Sequence, residues 1–313
     1  MQIKRKSYKV GTRKSRLAMI QTQMVVSAIQ EKYSDLDIEI IGISTEGDDK
    51  ITIPLSQMGG QGVFVKEIEK RLLANEIDFA VHSAKDMPSD LSANLIISST
   101  LERANPQDCI VFKEAGTTLQ TLKDGAIVGS DSMRRKAQLL SIRPDLKFIS
   151  IRGNINTRIN KLDEENIDAI VLAVAGLERF GWLRDNLHKT EFLDTEICMP
   201  AVGQGVIAIE SRQDDIELNR LLRSFNHIDS YDCLMAERSF LRTLGASCTF
   251  PVGGYAKKIN GKLLLTAMVA EADGKNDIKV SKWGEDPLEL GVLVANELIR
   301  QGADIIINSC LKK

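Results

Sequence analysis

"GVFVKEIEKRLLANEIDFAVHS", residues 62–83, decides the fold class. Its first part repeats apolar residues at helical spacing, with Phe64, Ile68 and Leu72 on one face. Its last part, "IDFAVHS", is an apolar run of strand length. The segments before it follow the same alternation. "YKVGT" reads as a strand, and "SRLAMIQTQMVVSAIQEKY" as a helix with Leu17, Ile20, Met24 and Ala28 on one face. "DIEIIGIST" reads as the next strand. A β-α-β-α-β order predicts a doubly wound, largely parallel sheet.

The pattern restarts near residue 107, after the polar, proline-containing link "ERANPQD". "GAIVGS", "LKFISIRGN" and "IDAIVLAVAG" read as strands, separated by the helices "SMRRKAQLLSI" and "INTRINKLDEE". The tail differs. "SYDCLMAERSFLRTLG" is a helix capped by Gly245, and "GYAKKINGKLLLTAMVAEADG" is a hairpin turning at Asn260-Gly261. With "KVSKWG" as a further strand and a last helix in "PLELGVLVANELIRQG", it reads as a small α+β domain. The glycine-rich connection 44–62 is long enough to act as a lid.

Composition removes several classes. The chain has 313 residues, 43% hydrophobic and 27% charged, with a formal net charge of -2. No apolar run approaches the ~20 residues of a membrane span. The basic start "MQIKRKSYKV" lacks the apolar core of a signal peptide. Five cysteines without a C-x-x-C pair, and only three histidines, argue against a disulfide framework and a zinc site. We expect a cytoplasmic monomer that binds a small molecule and neither nucleic acid, membrane nor metal.

Charged chemistry collects at the joints between elements. Arg13 and Arg16 open the first helix, Arg134 and Arg135 lie in the first turn after "VGSDS", Arg152 ends a strand, and Arg158 and Arg179 follow. In open α/β sheets ligands bind beyond the carboxyl ends of the strands. Helix N-termini there favour anions, and arginine's planar fork matches a carboxylate. A single arginine in such a place is most often an ordinary surface residue. Several together point to a polyanion site, and without a Walker or G-x-G-x-x-G motif a nucleotide is the weaker choice. In "AVHSAKDMPSD", Asp86 is placed to stabilise a cation or move a proton, or simply to pair with Lys85. In "TLGASCTFPVGGY", residues 243–255, Cys248 reads as a thiol in an exposed turn, with Gly253 and Gly254 supplying backbone freedom. Cys109 and Cys233 read as small buried groups. These residues alone also fit a non-catalytic two-lobed anion-binding protein, or a thiol-dependent transferase acting on a phosphorylated substrate.

Taken together, "GTRKSRLA", "GGQGVFVKEIE", "IDFAVHSAKDMP", "VGSDSMRRKAQL", "IRGNINTR", "DAIVLAVAGLERFG", "PAVGQGVIAIE", "AERSFL" and "GASCTFPVGGYA" resemble the porphobilinogen deaminase family, nearly end to end. The resemblance implies two doubly wound, periplasmic-binding-protein-like α/β domains facing each other, plus a small α+β C-terminal domain. Domain 1 would comprise 1–103 and 200–221, domain 2 104–199 and domain 3 222–313. It implies head-to-tail condensation of four porphobilinogen molecules, with release of ammonia, on a dipyrromethane cofactor. That cofactor would be held by a thioether to Cys248. Asp86 matches the family's catalytic aspartate. Arg13, Ser15, Lys85, Arg134, Arg135, Arg152 and Arg158 match its carboxylate-binding positions. Arg179 matches an arginine of the same cleft, Ser130 and Ser132 would add hydroxyl contacts, and Arg238 is a weaker match. Against the family's commoner motifs, Asp131 adds a negative charge beside the arginines and Gln61 replaces a lysine of the lid.

Overall fold

A computed structural model describes residues 5–45, 62, 65–247 and 249–311. It divides into two compact units, Met1–Arg103 with Val206–Asp232, and Ala104–Gly205 with Cys233–Lys313. The chain first changes unit inside the "ERANPQD" link. Most of the expected lid, residues 44–62, lies outside the described residues, as does Phe64.

The chain begins β1 (Ser7–Arg13), α1 (Arg16–Lys32), β2 (Asp37–Ile43), α2 (Lys66–Leu73), β3 (Phe79–Ser83) and β4 (Leu95–Thr100). It continues β5 (Asp108–Phe112), β6 (Ile127–Gly129), α3 (Met133–Ile142), β7 (Lys147–Ile149), α4 (Ile155–Glu164), β8 (Ala169–Ala173), α5 (Val174–Phe180), α6 (Leu183–Asn186) and β9 (Thr190–Phe192). It ends β10 (Ile207–Arg212), α7 (Ile216–Arg223), α8 (Ile228–Thr243), β11 (Val252–Ile259), β12 (Lys262–Ala270), β13 (Asp277–Gly284), α9 (Pro287–Arg300) and α10 (Ala303–Leu311).

In the first unit the sheet order is β2-β1-β3-β10-β4. β1 runs parallel to β2 and β3, and β10 runs antiparallel to both of its neighbours. One face is covered by α1 and α7, where Val25, Ile29, Leu218 and Leu221 meet Val10, Phe79 and Ile209. α2 covers the other, setting Ile68 and Leu72 against Ile43 and Ala80. α2 thus buries the face its spacing predicts. α1 does not, because Met24 is exposed while Val25, Val26 and Ile29 are buried. That helix carries apolar residues around much of its circumference, and its β-branched stripe packs on the sheet.

The second unit repeats the plan in its five-stranded sheet, β7-β6-β8-β5-β9, where β6 is parallel to β7 and β8 and β5 is antiparallel to β8 and β9. Both sheets therefore run second, first, third, crossing strand, fourth. Their α/β character agrees with the expected fold class. The same unit holds a three-stranded sheet, β11-β12-β13, whose apolar face packs on α8, α9 and α10 through Phe240, Leu244, Val294, Leu298 and Ile306. Asn260 and Gly261 turn its first hairpin at φ 51 and 81, as a type I′ turn requires, and Gly245 at φ 66 follows α8.

The expected exposed turn at 243–255 is corrected by the structure. Ala246, Ser247 and Pro251 through Gly254 are buried, and β11 begins at Val252. Gly253 and Gly254 serve close approach rather than unusual torsions. A Cβ on Gly253 would come within 2.8 Å of Met199 Cγ, and the Gly254 N–H donates to the Pro200 carbonyl at 3.0 Å. Among the described residues no helix is long and apolar enough to cross a membrane. No group of three or more His, Cys, Asp and Glu among them is placed to hold a metal.

Gly291 tests how tightly α8 and α9 meet. A Cβ there would lie 2.5 Å from the Ala236 carbonyl oxygen and 2.6 Å from the Phe240 nitrogen. Helix propensity alone favours alanine by about 1 kcal/mol. Overpacking against backbone outweighs this, so Gly291→Ala is expected to lower stability by roughly 1–2 kcal/mol in urea denaturation.

Candidate functional site

β1 and β3 are parallel, so their carboxyl ends lie at the same sheet edge. Arg13 ends β1, and Ser15 caps α1 by accepting from the Ala18 N–H at 3.4 Å. β3 ends at Ser83 and passes into a single 3-10 turn, Ala84–Asp86, which re-aims the chain at that edge. The result is a small pocket of about 50 Å³, lined by Arg13, Ser15, Gln21, His82, Ser83 and Asp86 among others. Arg13 Nη1 stands 4.0 Å from Asp86 Oδ2, and the Asp86 side chain is 38% exposed. Ser83 donates to Gln21 Oε1 at 3.0 Å. The structure thus brings Arg13, Ser15 and Asp86 together. Lys85 is half-buried beside them in the chain and is not among the pocket's lining residues.

In the second unit the expected arginines are arranged differently. Arg134 and Arg135, 4% and 6% exposed, close on the fully buried Asp108 of β5. Arg134 Nη1 donates to Asp108 Oδ2 at 2.6 Å, and Arg135 donates to Oδ1 from Nε at 3.0 Å and Nη2 at 2.6 Å. Gln204 Nε2 donates to the same Oδ1 at 3.0 Å. Burial alone would raise the Asp108 pKa, but the two guanidinium groups overcome it and hold the carboxyl well below its ordinary range. Two cations against one anion leave one positive charge in the cluster.

Ser132 caps α3 by accepting from the Arg135 N–H at 3.4 Å, and Ser130 accepts from the Ser132 N–H at 3.3 Å. Both hydroxyl acceptors thus shape the turn. Asp131 pairs with neither Arg134 nor Arg135, lying 3.9 Å from Arg152 Nε instead. Arg158 Nε donates to the Gly153 carbonyl at 2.9 Å. Arg179 donates from Nη2 to the Gly205 carbonyl at 2.7 Å, and its buried Nε has no partner. Burial lowers its pKa to about 10, with Glu178 opposing the shift.

Cys248 lies outside the described residues. Cys109, Cys198 and Cys233 are buried, and Cys310 is half-exposed. Burial pushes the Cys109 and Cys198 thiols up to about 12, aided by the Asp108 charge.

Two family models match the sequence. "Porphobilinogen deaminase, dipyromethane cofactor binding domain" matches residues 8–220, and "Porphobilinogen deaminase, C-terminal domain" matches 231–300. The chain belongs to the porphobilinogen deaminase family. The porphobilinogen deaminase of Listeria innocua is 45% identical over 298 residues, 95% of this chain and 96% of that one. That of Brevibacillus brevis is 45% identical over 307 residues, 98% of each. Among solved structures the chain is similar to the methionine binding protein MetQ, with a TM-score of 0.44 at 14% identity, covering 72% of this chain and 90% of that one. The family's transferase activity, hydroxymethylbilane synthase, and its dipyrromethane cofactor are therefore this chain's.

A dipyrromethane carries carboxylate side chains, and Arg179 fits such a group. Its guanidinium is largely withdrawn from water, has no carboxylate within ion-pairing distance among the described residues, and keeps one N–H unpartnered. Residue-by-residue reading missed Asp108, Gln21 and Glu210. For Asp108 and Glu210 the available signal was an acidic residue inside an otherwise apolar strand, as in "DCIVF" and "VIAIES".

Asp108→Asn leaves two buried guanidinium groups without their anion, and we expect it to cost about 3–5 kcal/mol at pH 7 in chemical denaturation. A carboxylate whose pKa is depressed on folding contributes full stability above its unfolded pKa of about 4 and loses it as pH falls further. The parent chain should therefore weaken below about pH 4, with a shallower fall in the variant. Alkylation of the native protein near pH 8 should label Cys310 and spare Cys109 and Cys198, read by peptide mass spectrometry.

Proposed function

We propose that Asp86 is the catalytic residue, that Cys248 carries the dipyrromethane, and that Arg13, Ser15, Lys85, Ser130, Ser132, Arg134, Arg135, Arg152, Arg158 and Arg179 supply its carboxylate-binding charge and hydroxyls. The observation that carries the reading is the meeting of Arg13, Ser15 and Asp86 in one pocket at the carboxyl ends of parallel strands.

When bound, the cofactor offers an electron-rich pyrrole carbon to which each new unit is joined. The remaining work falls to the chain's own groups. Loss of ammonia from porphobilinogen leaves a methylene-pyrrole cation. Asp86, whose side chain is partly exposed and whose Oδ2 lies 4.0 Å from Arg13 Nη1, would stabilise positive charge at a pyrrole N–H and take a proton from it. Arg13 orients the carboxylate from the other side and offers its fork to a substrate acetate or propionate. A cation that meets water too early would be lost to hydrolysis, so seating the reaction in a partly enclosed pocket favours carbon–carbon bond formation.

The single positive charge left around Asp108, and the guanidinium of Arg179, give the second unit its attraction for carboxylates. A thioether at Cys248 resists hydrolysis and would act as an anchor through repeated turnovers. The three sheets support the three-domain division expected from the sequence. We further propose that the enzyme is a cytoplasmic monomer.

Intact-mass analysis of protein made in a porphyrin-producing host should show a dipyrrole adduct that maps to the Cys248 peptide and vanishes in Cys248→Ser. An unmodified parent chain would sink the attachment proposal. Asp86→Asn should keep the melting temperature and adduct while lowering kcat by roughly 10²–10⁴-fold. Near-parental turnover would remove Asp86 from the catalytic role.

A further inference from the structure

A second cavity lies wholly within the second unit, between α3 and the three-stranded sheet, and the reaction as described does not use it. Its volume is about 230 Å³. Ala137 of α3, Met199, Met268 and Ala270 form its floor and belong to one buried apolar cluster. Ile142 and Ile197 stand at its rim, 46% and 44% exposed. The strand register builds one wall. Met268 pairs with Lys279 and Ala270 with Asp277, and all four line the cavity. The turn between β12 and β13 closes an end, where a Cβ on Gly274 would come within 2.8 Å of the Ser141 nitrogen. Lys279 reaches across to Glu196 in an ion pair.

The polar groups around this floor are unequally satisfied. Gln138 uses its amide on the Arg134 carbonyl and on both sides of the Met199 peptide. Of the three charged residues that line the cavity, Lys279 and Glu196 hold each other. The third, Asp277, is exposed and has no hydrogen-bond or ion-pair partner among the described residues. Ser141 donates to the Gln138 carbonyl at 2.7 Å, which leaves its oxygen able to accept. The open positions are therefore acceptors. Two thioethers beside aliphatic walls favour an aromatic ring. A volume below the usual range for drug-sized ligands suits one ring with a short arm. A carboxylate on that arm would meet Asp277 and find Lys279 already engaged.

We propose that this cavity is a second ligand site, which takes a small aromatic or heteroaromatic ammonium. The ring lies on Met199 and Met268, and the ammonium is directed to Asp277. The apolar floor supplies contact area, and the unpaired carboxylate selects the sign of the charge. Porphobilinogen carries an ammonium on a pyrrole ring, but its acetate and propionate count against it here.

The probe is 2-phenylethylammonium, titrated into the full-length, cofactor-loaded enzyme with isotope-labelled methionine methyl groups and followed by NMR. Its anionic counterpart is 3-phenylpropionate. Met199→Leu and Met268→Leu assign the two resonances of the floor. Both should shift saturably, with a dissociation constant on the order of 1 mM, within reach of a ligand of about nine non-hydrogen atoms. The methyl of Met87, next to Asp86 in the chain, should stay in place. The anionic probe should bind at least about tenfold more weakly. Asp277→Asn should weaken the ammonium about three- to fivefold. Ala270→Leu fills the cavity and should abolish the shifts. If that variant fails to fold, the exposed Asp277→Asn keeps the test. Equal affinity for the two probes, or unchanged affinity in Asp277→Asn, would overturn the proposal. So would shifts confined to Met87, or no saturable shift at several times the expected dissociation constant.

Discussion

A single buried carboxylate organises the second unit. Asp108 opens β5, the strand that runs against the direction of its sheet, and both of its oxygens are occupied. It draws in the first turn of α3 through Arg134 and Arg135. Those arginines fix their surroundings in turn, as Arg134 Nη1 donates to the Met199 carbonyl and Arg135 Nη1 to the Val171 carbonyl. Gln138 clamps Met199 from both sides of its peptide, accepting from its N–H at 2.6 Å and donating to its carbonyl at 3.2 Å. Met199 then lies against Gly253, where only a glycine leaves room. One charge balance therefore reaches from the second sheet to the start of the third. It also explains how paired arginines, costly to bury, stay held in register.

The helices and parallel strands were legible because each follows a period that solvent imposes. α2, α3, α4 and α9 bury one face, and β1, β2, β3, β6 and β8 are short apolar runs between helices. The crossing strands β5 and β10, and the edge strands β4 and β9, were harder. Their partners are remote in sequence, and nothing local marks a strand as antiparallel. β10 pairs with β3 across more than a hundred residues. The shared topology of the two sheets was hidden for a related reason, since it lives in strand order and not in repeated residues.

Asp86 and Arg13 were legible as types in a place, at strand ends where ligands gather. The partnerships of the arginines were not. Whether a guanidinium faces a ligand or a buried aspartate depends on a carboxylate some twenty-five residues away, as Arg134 and Asp108 show. The glycines of "PVGGY" misled for the opposite reason. Torsional freedom and lack of bulk leave the same letter, and here lack of bulk is what the packing against Met199 requires.

The position of β10 has a consequence for biosynthesis. It fills the gap between β3 and β4, which are otherwise not neighbours, yet it is translated roughly a hundred residues after them. A nascent chain that has emerged only through Arg103 therefore presents two unpaired strand edges toward an empty slot, the kind of surface that recruits wrong partners. The second sheet escapes this delay, because its crossing strand β5 is made before the β8 and β9 edges it joins. On the ribosome, then, the later-encoded sheet can close at once while the earlier one waits. The same late strand delivers Glu210, so His82, which lines the Asp86 pocket, gains its buried partner only when β10 docks.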